Sequence, residues 1–149
     1  MKTESGEDLK PLVESMAAEF GYKGDCRFAF RFPEIGLART PTYNPDCVWF
    51  SGTPSEHNAV AIFEIDQGPS RKHRVGGVAL ANVIALKYSK RLFYFAIAPA
   101  NRAAVATPPI ELHSRYLGDK WRLQATLIAS FDPGTIRQRV TEALTKAQT

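Results

Sequence analysis

The chain predicts an α/β domain with a mixed central sheet flanked by helices, and three observations predict it. Ala59-Val-Ala-Ile-Phe-Glu-Ile-Asp66 and Arg91-Leu-Phe-Tyr-Phe-Ala-Ile-Ala98 are short, almost unbroken apolar runs, the pattern of strands covered on both faces. Between them, Val75, Val78, Ala79, Val83, Ile84 and Leu86 recur at helical spacing over residues 70–88, around enough of the circumference to be covered on more than one side. A strand, a long helix and a second strand imply a right-handed crossover. A run at 46–50 is joined to the first strand through Ser51-Gly-Thr-Pro-Ser-Glu56, which reads as a hairpin or short meander.

The elements follow in order. Leu9, Leu12, Val13, Met16 and Phe20 lie on one helical face, which predicts a helix over Asp8 to Phe20 with Gly21 as its stop. Pro11 is tolerated in a first turn. Phe28, Phe30 and Phe32 alternate with Arg27, Ala29 and Arg31, so a strand is expected over Cys26 to Phe32 and its aromatic side chains are expected in the core. Pro33 ends that strand, and the Gly, Pro and Thr content of Glu34 to Asn44 predicts a loop. Strands follow at Asp46 to Phe50 and Ala59 to Ile65. Gly68-Pro-Ser70 breaks the chain, with Ser70 a capping candidate for the long helix. Gly76 and Gly77 let that helix approach a sheet closely, at roughly 1 kcal/mol each in helix propensity. A short helix over Pro109 to Tyr116, a strand over Trp121 to Ser130 and an amphipathic helix over Pro133 to Lys146, capped by Asp132, complete the chain.

Composition bounds the reading without choosing a function. The sequence of 149 residues, 44% hydrophobic and 23% charged, suits one domain with its own core. Its apolar runs are too short to span a bilayer, and Met1-Lys-Thr-Glu-Ser-Gly-Glu-Asp8 lacks the apolar segment of a signal peptide, so a cytoplasmic location is expected. Cys26 and Cys47 are too few for a disulfide framework or a zinc cluster and read as buried thiols. No phosphate loop of Walker or dinucleotide type occurs, and Ser114 and Ser130 lack a nucleophile context. His57, His73 and His113 show no metal spacing. The net charge of +4 is compatible with a polyanionic partner.

Chemistry concentrates in the acids at strand ends. Glu64 and Asp66 stand two apart, so a strand presents both on one face. Asp46, in Asn44-Pro-Asp46, opens the preceding strand. Three carboxylates at neighbouring strand ends point to a divalent-metal site, because clustering them without a cation is opposed by like-charge repulsion. Each acid also has a plainer use: Asp46 as a turn-capping residue, and Glu64 as the partner of Arg27, Arg31 or Arg74. Arg71-Lys-His-Arg74 gathers cations at a helix start, where the dipole disfavours them; the plainer reading of that cluster is a solvated face, and the other is a phosphate partner.

The order of helix, three strands, helix and strand, with an acid opening the second strand and an acidic pair closing the third, resembles the PD-(D/E)XK nuclease superfamily. The likeness rests on Pro45-Asp46, Glu64-Ile65-Asp66, the long helix and Leu92 to Ala98, and covers roughly residues 8–98. It implies the restriction-endonuclease-like α-β-β-β-α-β core in a single domain over residues 1–149. It also implies a metal-dependent endonuclease that hydrolyses DNA phosphodiester bonds with Mg²⁺ or Mn²⁺. Asp46, Glu64 and Asp66 would then be the metal ligands and, with Lys72, the catalytic residues, while Arg71, Lys72 and Arg74 would bind nucleic acid. The family's usual pattern carries a lysine two residues after the second acid, where this chain has Asp66; some restriction enzymes of the superfamily are similar in carrying an acid there. In other relatives the lysine has moved to the following helix, where Lys72 stands in this chain. A homodimer would serve both DNA strands. Two other readings remain open: a non-catalytic nucleic-acid-binding or protein-interaction module on the same fold, and a small-molecule-binding α/β protein.

Overall fold

The computed structural model describes residues 9–66, 71–101 and 107–147, without the side chains of 71–76 and 107. Helix α1 (Leu9–Met16) buries Leu9, Val13 and Met16, the i, i+4, i+7 face expected of it. A tighter 3-10 turn over Ala17–Phe20 ends at Gly21, whose φ of 82° is left-handed and whose amide returns to Ala17 and Ala18 carbonyls. A glycine tolerates that conformation without the usual steric penalty.

The first sheet strand departs from expectation. The aromatic alternation of 26–32 predicts a strand there, whereas β1 is Lys23–Asp25 and only Phe30–Arg31 of the expected segment is extended, as β2. β2 pairs with β3 (Thr42–Tyr43) in a separate two-stranded ribbon, so the expected loop also contains a strand. The three phenylalanines pack in the core as anticipated, with Phe28 meeting Phe30 and Phe50 edge to face. β1 is selected by tertiary contact instead. A β-carbon on Gly24 would lie 2.5 Å from the Glu14 carbonyl oxygen, so α1 crosses directly over the strand at its one residue without a side chain.

The main sheet runs in the order β1, β4 (Cys47–Phe50), β5 (Ala59–Ile65), β6 (Leu92–Ile97) and β7 (Leu123–Ile128). β1, β4 and β5 form an antiparallel meander, as the short connection at 51–58 predicts. β5, β6 and β7 are mutually parallel, with helix α2 (Arg71–Lys87) between β5 and β6. The result is the mixed central sheet expected, with β6 interior.

Both faces of the sheet are covered, which explains the unbroken apolar runs. On one face Val48, Phe50, Ile62 and Tyr94 pack beneath Val78, Ala81 and Ile84 of α2 and beneath the β2/β3 ribbon. On the other, Trp49, Phe63 and Phe95 pack against α1 and against Ile136, Val140 and Leu144 of α4 (Pro133–Ala147). Trp49 also donates from Nε1 to the Val13 carbonyl at 3.0 Å. Asp132 caps α4 as expected, accepting the Thr135 amide at Oδ2 at 2.9 Å.

Helix α3 (Thr107–Leu117) and a following 3-10 turn lead into β7. Their junction is tied to α2 by Asn82, which is only 3% exposed. Its Nδ2 donates to the Lys120 carbonyl at 2.9 Å, and its Oδ1 accepts the Arg122 amide at 2.7 Å. No helix among the described residues is long and apolar enough to cross a membrane.

Candidate functional site

The β4/β5 register is what brings two of the acids together. Cys47 pairs with Phe63, so the next rung of the antiparallel ladder sets Asp46 against Glu64. The two are laced through backbone amides. Asp46 N–H donates to Glu64 Oε1 at 3.2 Å, and Ile65 N–H donates to Asp46 Oδ2 at 2.6 Å. Lys10, from the first turn of α1, brings its ammonium to 3.6 Å from Asp46 Oδ1.

Glu64 points toward the α2 face of the sheet. Gly77 of α2 lies directly over it: a β-carbon at 77 would stand 2.6 Å from Glu64 Oε2 and 3.3 Å from the Tyr94 hydroxyl. The close approach that Gly76 and Gly77 suggest is thus realised at Gly77, above a carboxylate. Two phenols enclose the same space. Tyr94 comes from β6 and Tyr43 from the ribbon, and both are buried.

Burial sets the electrostatics. Loss of water, and secondly the Asp46 charge, raise the Glu64 pKa from its ordinary 4.5 to about 8, although the Asp46 amide, Tyr43 and Lys10 oppose the rise. Glu64 therefore carries a proton through much of the neutral range unless positive charge arrives beside it. The same burial, followed by the Glu64 charge, drives the Tyr43 and Tyr94 pKa values well above 10, so both phenols stay neutral donors. The Tyr43 hydroxyl is near enough to favour ionised Glu64, yet among the described residues it has no well-aligned hydrogen-bond partner. A buried polar atom left short of a partner is uncommon.

Asp66 is the first residue beyond β5. It is 8% exposed, and its amide extends the parallel ladder by donating to the Ile97 carbonyl at 2.8 Å. Among the described residues no group of three or more His, Cys, Asp or Glu side chains is arranged to hold a metal ion. The structure therefore brings Asp46 and Glu64 together and does not gather Asp66 into a three-donor cluster with them. Arg71, Lys72 and Arg74 occupy the opening of α2, with their side chains outside the described set. Gln67 and Ser70 also lie outside it.

Other polar side chains of the chain have structural partners. Glu14 accepts the Cys26 amide at 2.9 Å, and Glu19 pairs with Arg137 at 3.2 Å. His57 lies edge-on to Tyr88, and His113 Nδ1 sits against the Pro109 carbonyl. Four residues at the acidic pair were not identified from sequence: Lys10, Tyr43, Tyr94 and Gly77's role as a cover for Glu64. Tyr94 had a faint signal, being the one hydroxyl in an otherwise apolar interior strand. Lys10 and Tyr43 had none, since their positions follow from how α1 and the ribbon pack.

The Asp46 and Glu64 carboxylates are hard oxygen donors, of the kind that would suit Mg²⁺ or Mn²⁺ better than a soft metal. A cation between Asp46 and Glu64 would counter the burial and the Asp46 charge that keep Glu64 protonated, and so would favour its ionised form. Compared with protein-family models, with curated proteins and with solved structures, the chain matches none.

Proposed function

We propose that this protein is a metal-dependent nuclease of the restriction-endonuclease-like fold, hydrolysing DNA phosphodiester bonds, and that it acts as a homodimer. The observation that carries the reading is the apposition of Asp46 and Glu64, where burial and a neighbouring negative charge hold the Glu64 pKa near 8. The order α1, β1, β4, β5, α2, β6 around that pair supports it. Asp46 and Glu64 would hold Mg²⁺ or Mn²⁺, with Asp66 following on the same strand. When bound, such an ion offsets phosphate charge, orients the scissile group and lowers the pKa of a water. Tyr43, Tyr94 and Gly77 keep bulk water from Glu64, and the Asp46 amide orients its carboxylate. Lys72, with Arg71 and Arg74 at the opening of α2, would meet the phosphate backbone.

Calorimetry with Mg²⁺ and Mn²⁺, run beside a plasmid-nicking assay, tests the proposal. The wild-type protein should bind the ion and cut; Asp46→Ala and Glu64→Gln should lose both properties. Retention of cutting by both variants overturns it.

One observation favours a second reading. Lys10 already supplies a positive charge to Asp46, as an internal cation would in a non-catalytic nucleic-acid-binding module on the same fold. Under that reading DNA binding survives Asp46→Ala and weakens steeply with salt. Under the nuclease reading Lys10→Met removes a competing positive charge from Asp46 and tightens the ion.

A further inference from the structure

The two cysteines of the chain are distant in sequence and face each other in the fold. β1 pairs with β4 as Gly24 to Trp49 and Asp25 to Val48, and Cys26 leaves β1 in the turn directly after that last pair, next to Cys47 at the start of β4. A disulfide closes where Cα atoms stand about 4.4–6.8 Å apart, a separation that neighbouring positions at the end of an antiparallel pair allow. Two further observations bring the thiols together. Cys47 is buried in the cluster beneath α1 and α4, and Cys26 packs against that same cluster. The Cys26 thiol is also near enough to Cys47 to hold the Cys47 thiol protonated. Both are free, and they differ in access, Cys26 being half-buried and Cys47 fully buried.

We infer that Cys26 and Cys47 form an oxidisable dithiol, closed to a cross-strand disulfide by exchange with a low-molecular-weight disulfide. Cys26, the accessible member, attacks as thiolate on one sulfur of the donor disulfide. The donor S–S bond breaks, one donor thiol leaves with the proton, and a mixed disulfide remains on Cys26. Cys47 then attacks the Cys26 sulfur, the mixed disulfide breaks, and the second donor thiol leaves with the Cys47 proton. The protein loses two electrons and two protons, and the donor is reduced to two thiols. This dithiol is independent of any nuclease activity, but it is wired to the acidic pair. The Cys26 thiol donates to the Lys10 carbonyl at 3.2 Å, and Lys10 is the residue whose ammonium reaches Asp46. Disulfide closure removes that S–H donor.

The test treats the folded full chain with glutathione disulfide, then alkylates under denaturing conditions and measures intact mass. Wild type should lose both alkylatable thiols at monomer mass with no glutathione retained, and dithiothreitol should restore them. Tryptic digestion should join Gly24-Asp-Cys-Arg27 to the peptide containing Cys47. Cys47→Ala should retain one glutathione on Cys26, and Cys26→Ser should stay unmodified while folded. If Cys47→Ala does not fold, the wild-type mass and the Cys26→Ser result decide. Glutathione retained on wild-type Cys26, a disulfide-linked dimer, or two unreacted thiols would each overturn the inference.

Discussion

Gly77 stands so close to Glu64 that a β-carbon at position 77 would lie 2.6 Å from Glu64 Oε2. The pair sets helix propensity against the site. Alanine at a helix interior is favoured over glycine by about 1 kcal/mol, but here its methyl group must displace a buried carboxylate. Gly77→Ala should therefore leave global stability within about 1 kcal/mol of wild type, while divalent-ion affinity falls by about tenfold or more, roughly 1.4 kcal/mol. Urea denaturation beside calorimetry separates the two effects.

Glu64 makes stability depend on pH with a definite sign. Its pKa rises from 4.5 to about 8 on folding, so between those values the native chain holds a proton that the unfolded chain has released. Stability from this group is present at the acid end of the window and is lost as pH rises toward 8. The loss is on the order of 5 kcal/mol. Glu64→Gln should flatten the slope and be more stable than wild type at the alkaline end. Urea midpoints from pH 5 to pH 8.5 measure this, and Mg²⁺ should flatten the wild-type slope in the same way.

Trp49 joins the sheet to α1 by both packing and polarity. It stacks with Phe20 and tilts against Phe63, and its indole N–H satisfies the Val13 carbonyl. Trp49→Phe should cost about 2–4 kcal/mol, from the lost ring volume and an orphaned acceptor. Thermal denaturation should show the loss.

Asn82 satisfies two backbone groups at once, the Lys120 carbonyl and the Arg122 amide. Asn82→Ala removes the partner of both part-buried groups and should cost about 1–3 kcal/mol. Hydrogen exchange should show the β7 amides losing protection before those of β4 and β5, since only the β7 approach depends on this side chain.

Much of the fold was readable because its strands are covered on both faces. The Ala59–Ile65 run could be bounded to the residue: a turn precedes it and a polar residue follows. β1 could not be read, since Lys23-Gly-Asp25 has no apolar alternation and owes its strand to pairing with β4 and to the approach of α1 over Gly24. The Phe28, Phe30 and Phe32 alternation reported burial correctly and strand length wrongly, because the two-residue ribbon reaches the core from outside the sheet. At the site, the hairpin register brings Glu64 and Asp46 to one place, while the i, i+2 spacing of Glu64 and Asp66 does not make a three-donor cluster among the described residues. Spacing says nothing of depth, and it is depth, supplied by Tyr43, Tyr94 and Gly77, that moves the Glu64 proton.

The short connection at 51–58 has a kinetic consequence. A hairpin closing so small a loop forms early, so Asp46 and Glu64 meet while both are still in water and ionised. Their cover arrives later, because α2 and β6 must be brought back across the sheet through a long crossover. Proton uptake by Glu64 is then coupled to that second event, and refolding followed with a pH indicator should show the proton disappearing after the hairpin has formed.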